Sequence, residues 1–239
     1  MAIEVGRFAN VMASLPDDRA IATCPGWNVR DLAEHLGVIH RWADELVRLR
    51  SPERRPREVS DEVRAAVSPQ WIEDGGRQLV ATLLAADPAD AMWGWGSDQH
   101  VRFWSRRQLH ETLVHRMDLE LAADIRPEAD QKIVEDAIDE FLSNMEAIAP
   151  RVPSLSELRG HGERLGFRVR ESNTRWMITF DSDRFSVSHD DSSATTELSG
   201  SAIDLLLIVL GRRRVNESDV DVVGDADLLD HWLSHSEFD

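Results

Sequence analysis

Hydrophobic positions recur at helical spacing through the first part of the chain and switch to alternation after about residue 150. Ile3, Phe8, Val11 and Met12 share one face of a helix over residues 3–14, closed by Pro16 and the Asp17-Asp18 pair. Cys24-Pro25-Gly26-Trp27 makes a turn, and Asn28 then serves as an N-cap, with Asp31 at the positive end of the new helix. That helix runs from Val29 to about Arg50, with Leu32, Leu36, Ile39, Ala43, Leu46 and Val47 as its apolar stripe. His35 and His40 flank the stripe on opposite edges. Residues 51–61 are charged and proline-punctuated, hence loop. Glu62 to Ala86 reads as helical with a break near Pro69, its apolar side being Leu79, Val80, Leu83 and Leu84. Met92-Trp93-Gly94-Trp95-Gly96 is an aromatic loop that either lines a pocket mouth or caps the end of a bundle. Helices over 106–124 and 128–149 follow, the second burying Ile133, Ala137, Phe141, Leu142 and Met145. Long amphipathic segments with modest connections predict an antiparallel four-helix bundle over residues 1–150.

Ala149-Pro150-Arg151-Val152-Pro153-Ser154 marks the expected domain boundary. Beyond it, residues 165–170, 175–180 and 184–189 alternate and are separated by turn residues, as in an antiparallel meander. Thr195 to Leu198 adds a short strand. Ala202 to Leu210 is a strongly apolar helix ended by Gly211. Val220 to Val223 is a last strand, and Asp225 caps a helix through Trp232. Residues 151–239 therefore form a small α+β domain with an antiparallel sheet, and the fold class is α plus α+β.

Composition narrows the partners. The chain has 239 residues, 42% hydrophobic and 30% charged, with a net charge of −17. Such a balance argues against nucleic acid and anionic membrane surfaces, which want a basic footprint. No apolar run approaches the roughly 18 residues of a membrane span. The N-terminus lacks a basic region followed by an apolar core, so no secretory signal is expected. Cys24 is the single cysteine, which leaves no internal disulfide and fits a cytoplasmic location.

The candidate chemistry lies on the helix at 106–124. Glu111 and His115 differ by about 40° around its axis, and Asp118 falls about 20° on the other side of Glu111. The three form one stripe shared with Trp104 and Ala122, so the stripe is not simply a solvent face. Glu111 and His115, one turn apart, are a ready pair of metal ligands. The competing reading is an ordinary pair on an exposed helix. Cys24, close to a helix start, is either a nucleophile or a packed structural cysteine, and packing is the simpler role.

Cys24-Pro25-Gly26-Trp27-Asn28-Val29-Arg30-Asp31-Leu32-Ala33-Glu34-His35-Leu36 resembles the N-terminal signature of the mycothiol-dependent maleylpyruvate isomerase family. Glu111-Thr112-Leu113-Val114-His115-Arg116-Met117-Asp118 resembles its second signature. Leu198 to Arg212, with Val223-Gly224-Asp225-Ala226-Asp227-Leu228-Leu229, is similar to the family's sterol-carrier-like C-terminal domain. The resemblance implies a DinB-like bundle carrying a divalent metal, usually zinc, held by His35, Glu111 and His115. It places Asp118 where the family has a carboxylate near the metal. It also implies an active-site arginine from the C-terminal domain; Arg212, Arg213 and Arg214 stand together, and Arg212 is the candidate.

Two imidazoles and one carboxylate make a ligand set that leaves a position open on catalytic zinc. A thiol in that position becomes a thiolate nucleophile at neutral pH. The expected activity is therefore that of a mycothiol-using isomerase or S-transferase acting on a small electrophile, maleylpyruvate-like or otherwise. The expected partners are the electrophile and the thiol, with a monomer or homodimer as the assembly. The alternative is a binding protein, its metal purely stabilising and its C-terminal domain holding an apolar ligand or a protein partner.

Overall fold

Asn28 opens the second helix through a full capping box. Its side chain accepts from the Asp31 N–H, and the Asp31 carboxylate accepts from the Asn28 N–H, both at 3.0 Å. The computed structural model describes residues 1–57 and 60–236. Helices α1 (Ala2–Ser14), α2 (Val29–Leu49), α3 (Asp61–Ala66), α4 (Pro69–Ala85) and α5 (Val101–Ala122) belong to one compact unit, Met1–Pro127. Glu58 and Val59, in the expected 51–61 loop, lie outside the described residues. The break near Pro69 takes the form of a new start: Ser68 caps α4 and Pro69 occupies its first turn.

Within this unit α1 packs on α4 and α5, and α2 packs on the same two helices, giving a four-helix arrangement with α3 as a short addition. The α2–α4 and α1–α4 seams depend on glycine. A Cβ on Gly37 would fall 1.9 Å from the Trp71 ring, and one on Gly76 would fall 2.6 Å from Val5. The buried side of α4 is accordingly Ile72, Gly75, Gly76 and Leu79, while Leu84 is exposed, contrary to the expected stripe. Small residues carry no hydrophobic signal, so periodicity alone misplaces this face. Helix α5 starts at Val101, five residues before the expected Arg106; His100 at its N-cap makes no side-chain cap bond and is not one of the residue types that mark a helix start in a sequence.

Helix α5 is buried nearly all round despite its polar content. Arg116, wholly buried, donates from Nε to Glu4 at 2.8 Å and pairs with Glu120, which also receives Arg7 at 2.9 Å. Buried charges persist only when paired, so this network fixes α1 against α5 one residue away from His115. Among the described residues no helix is long and apolar enough to cross a membrane.

The second unit is Glu128–Asp239. It contains α6 (Gln131–Ile148), α7 (Pro153–Ser156), β1 (Glu163–Val169), β2 (Arg175–Phe180), β3 (Phe185–Ser188), β4 (Thr196–Gly200), α8 (Ala202–Val209), β5 (Val220–Gly224) and α9 (Ala226–His235). Packing thus divides the chain at Pro127, ahead of the expected break at 150. Helix α6 buries Val134, Ala137, Ile138, Leu142 and Met145 and packs against α8 and β3. Its polar residues follow: Asp139 meets His189 at 2.9 Å, and Glu135 accepts from Ser172 and Thr174. An apolar stripe demands a partner but does not say which one.

The sheet order is β3-β2-β1-β4-β5. Neighbours pair antiparallel except β1 and β4, which run parallel, so the expected antiparallel sheet is a mixed one. Arg175 secures the segment joining β3 to β4, donating to the Ser192 carbonyl at 2.7 Å and pairing with Glu197 on β4 at 2.7 Å. The core of this unit gathers Phe167, Phe180 and Phe185 around the buried Trp232 of α9.

Candidate metal centre

His35 on α2 and Glu111 and His115 on α5 converge. One donor atom from each lies within 4.8 Å of the others. His35 Nε2 and His115 Nε2 both face the same carboxylate oxygen, Glu111 Oε1, at 3.1 and 3.2 Å. A tetrahedral site with bonds of about 2.0–2.1 Å separates its ligand atoms by about 3.3 Å, so the spacing fits a cation of that kind. The chemistry of the set fits as well: two nitrogens and one oxygen, the ligand number of open rather than closed zinc sites. The same set suits ferrous iron.

The surroundings hold these atoms in place. Asp118, fully buried, takes His115 Nδ1 at 2.9 Å and leaves Nε2 to face Glu111. A carboxylate behind a ligating imidazole fixes its tautomer and ring orientation. The same Asp118 oxygen lies 3.6 Å from Cys24 Sγ, so the half-buried cysteine is part of the centre's surroundings and not a remote packing residue. Cys24, His115 and Asp118 form a second group of possible donors, joined to the first through the two nitrogens of His115. Trp27 covers His35 with ring centroids 4.9 Å apart. Arg107 donates to the second Glu111 oxygen, Oε2, at 2.6 Å.

Titration follows from these contacts. Burial pushes the Glu111 carboxyl up, but Arg107 and the hydrogen bonds from His115 and His35 outweigh it and hold it well below the ordinary carboxylate range. Burial pushes the His115 imidazole down, yet its bonds to Asp118, Cys24 and Glu111 raise it well above its ordinary value.

His40, the other histidine of α2, is elsewhere. It is fully buried, with Nε2 2.9 Å from Thr112 Oγ1, and does not join the group. Arg212 belongs to the second unit, where its Nη1 donates to the Leu210 carbonyl at 2.8 Å; the adjacent Arg213 pairs with Asp204 at 2.6 Å. The aromatic loop packs as a cap on the bundle. Trp93 and Trp104 have ring centroids 5.7 Å apart, Trp42 joins both, and Trp95 meets Phe103.

Arg107 and Trp27 touch the centre and stand outside the expected ligand set. Both carried a signal. Arg107 stands four residues before Glu111, the spacing of a helical ion pair. Trp27 follows the Pro-Gly turn that delivers the chain to Asn28.

A family model described as the mycothiol maleylpyruvate isomerase N-terminal domain matches residues 1–120. A second, the SCP-2 sterol transfer family, matches residues 147–232. Two crystal structures of the mycothiol-dependent maleylpyruvate isomerase, one of them a mutant, resemble the chain with TM-score 0.58 at 14% identity, covering 92% of this chain and 89% of that one. At that identity the likeness carries the fold. No curated protein matches the chain.

Proposed function

The chain belongs to the mycothiol maleylpyruvate isomerase family, whose N-terminal model matches residues 1–120, and from that premise we propose that it is a metal-dependent isomerase or S-transferase using mycothiol. The observation that carries this reading is the meeting of His35, Glu111 and His115 around one point. When bound there, a divalent cation, zinc by the family resemblance, supplies a Lewis acid that lowers the pKa of an entering thiol. The chain's own residues do the rest. Asp118 orients His115 and accepts its Nδ1 proton in a hydrogen bond. Trp27 shields the His35 imidazole from water on one face. Glu111 contributes the negative charge that favours a dication over a monocation. Arg212 is the candidate for holding a substrate carboxylate, on the family resemblance alone.

The substrate is a small electrophile. A cis-enoyl acid would be isomerised by reversible thiolate addition, and an epoxide or alkylating agent would be conjugated. The decisive experiment incubates the metal-loaded protein with mycothiol and a panel that includes maleylpyruvate, epoxides and alkyl halides. Thiol-dependent isomerisation or thiol consumption is expected with at least one member. Inertness toward all of them, with metal present at one per chain, would leave the metal a purely stabilising role.

Metal uptake should be coupled to proton release. The bonds to Asp118, Cys24 and Glu111 that raise the metal-free His115 imidazole favour its protonated form, and a cation binding at Nε2 must displace that proton. Affinity should fall by up to about tenfold for each pH unit below the raised His115 pKa through this one group. Calorimetry in buffers of different ionisation enthalpy reads the proton directly. The effect on folding has the opposite sign. A raised imidazole pKa stabilises the metal-free protein below the unfolded value of about 6.5, and that contribution is lost as pH rises through the folded pKa. Asp118→Asn should reduce both the proton release and the affinity, the latter by about 10–100-fold. Unchanged affinity in that variant would remove the orienting role of Asp118.

A further inference from the structure

Glu111 presents its two oxygens to different partners. Oε1 faces His35 Nε2 at 3.1 Å and His115 Nε2 at 3.2 Å, whereas Oε2 receives Arg107 Nη2 at 2.6 Å. Both members of the Arg107–Glu111 pair are largely shielded, with side-chain exposures of 16% and 18%. A charge-assisted bond this short and this protected is a strong one. Arg107, Glu111, His115 and Asp118 follow at intervals of four, four and three residues, so they share one face of α5. Contacts run along that face without interruption, from guanidinium to carboxylate to imidazole to carboxylate.

A carboxylate with both oxygens available can bind a cation through either or both. Two-oxygen binding by Glu111 would use the position that an incoming thiol needs. We propose that Arg107 is a positioning residue of this centre: by holding Glu111 Oε2 it makes Glu111 a one-oxygen ligand and keeps a coordination position available for the thiol. The inference rests on the metal-centre reading above.

Two effects of Arg107 oppose each other, and this makes the inference testable. As a fixed cation it repels a dication, so its removal would strengthen binding if charge dominated. As an orienting partner it preorganises Glu111, so its removal would weaken binding by the 10–100-fold typical of residues behind a metal ligand. The positioning role requires the second outcome.

The experiment compares the full-length wild type with Arg107→Met and Arg107→Lys. Zinc affinity is measured by competition with a chromophoric chelator, and the cobalt(II) forms are read by visible absorption. Arg107→Met is expected to bind zinc at least tenfold more weakly. On addition of a thiol its cobalt form should gain little of the thiolate-to-cobalt charge-transfer absorption that the wild type gains, because the second Glu111 oxygen already holds that position. Arg107→Lys, which keeps the charge but not the planar fork, is expected to fall between the two. Thermal unfolding of the metal-free proteins separates loss of fold from loss of positioning, and Arg107→Lys decides the matter if Arg107→Met does not fold. Equal or tighter zinc binding in the variants, or a thiolate band as strong as the wild type's, would overturn the inference and leave the metal centre standing. A wild type that takes up neither zinc nor cobalt would instead overturn the metal-centre reading itself.

Discussion

Replacing His35, Glu111 or His115 by alanine should each strip the protein of stoichiometric metal while the bundle stays folded. Removing one of three donors leaves two, one fewer than the ligand number of an open zinc site. Substitution of residues behind a metal ligand costs about 10–100-fold in affinity, and loss of a ligand itself should exceed that range. The bundle should survive because its core lies elsewhere. Phe8, Leu32, Leu36, Ile72 and Leu119 are wholly buried in one cluster, and Leu46, Val47, Leu79 and Trp104 in another. Glu111→Ala also removes the 2.6 Å bond from Arg107. Elemental analysis after dialysis against a weak chelator gives the metal content, and far-ultraviolet circular dichroism gives the fold. Stoichiometric metal in all three variants would show that these side chains are not the ligands.

The largest effect on stability is expected from His40 in acid. Its imidazole is fully buried, and burial pushes its pKa down from 6.5 to about 3, with Glu111 opposing and Arg41, His115 and His35 reinforcing the fall. The hydrogen bonds explain the preference for the neutral form. Thr112 donates its hydroxyl proton to the Gln108 carbonyl at 2.7 Å, so it can only accept from His40 Nε2. The proton therefore sits on Nε2, and the buried Nδ1 has no partner for a second one. The sign follows. Above about 6.5 both folded and unfolded imidazoles are neutral and pH has no effect through this group. Between 6.5 and about 3 the unfolded chain binds the extra proton, and stability falls with pH by a total on the order of 5 kcal/mol. His40→Leu removes this titration. In urea titrations of the metal-free proteins, the wild type should lose about 3 kcal/mol more than the variant between pH 7 and 4.5. Parallel losses in the two proteins would mean that His40 carries its proton inside the fold.

Much of the molecule is legible in the chain because its signals are local. Asn28 and Asp31 announce the start of α2, and the capping box is there. Five alternating or strand-like runs become five strands within a residue or two. The stripe of Glu111, His115 and Asp118 is visible from helical spacing, and its burial follows from Trp104 and Ala122 on the same side. Leu84 shows where local reading fails. It sits in an apolar-looking row, yet glycines 75 and 76 form the contact face and turn it outward. His40 looks like a boundary residue on a helical wheel and is fully enclosed, because α5 supplies a hydroxyl against it. Arg107 and Glu111 were a readable pair, but no rule of spacing says that one Glu111 oxygen faces the arginine and the other faces two histidines.

By itself the sequence determined most of the elements, the side that most of them bury, the change from helical to alternating period, and a short set of residues able to bind a cation. Tertiary structure alone decided which buried side meets which. It paired α6 with α8 and β3, set β4 parallel beside β1, and brought His35 to within 3.1 Å of Glu111 across 76 positions of chain. The division has a physical cause. Backbone geometry repeats every two or 3.6 residues and so writes itself into neighbouring positions, whereas the choice of packing partner is a competition among distant surfaces that neighbouring positions do not record.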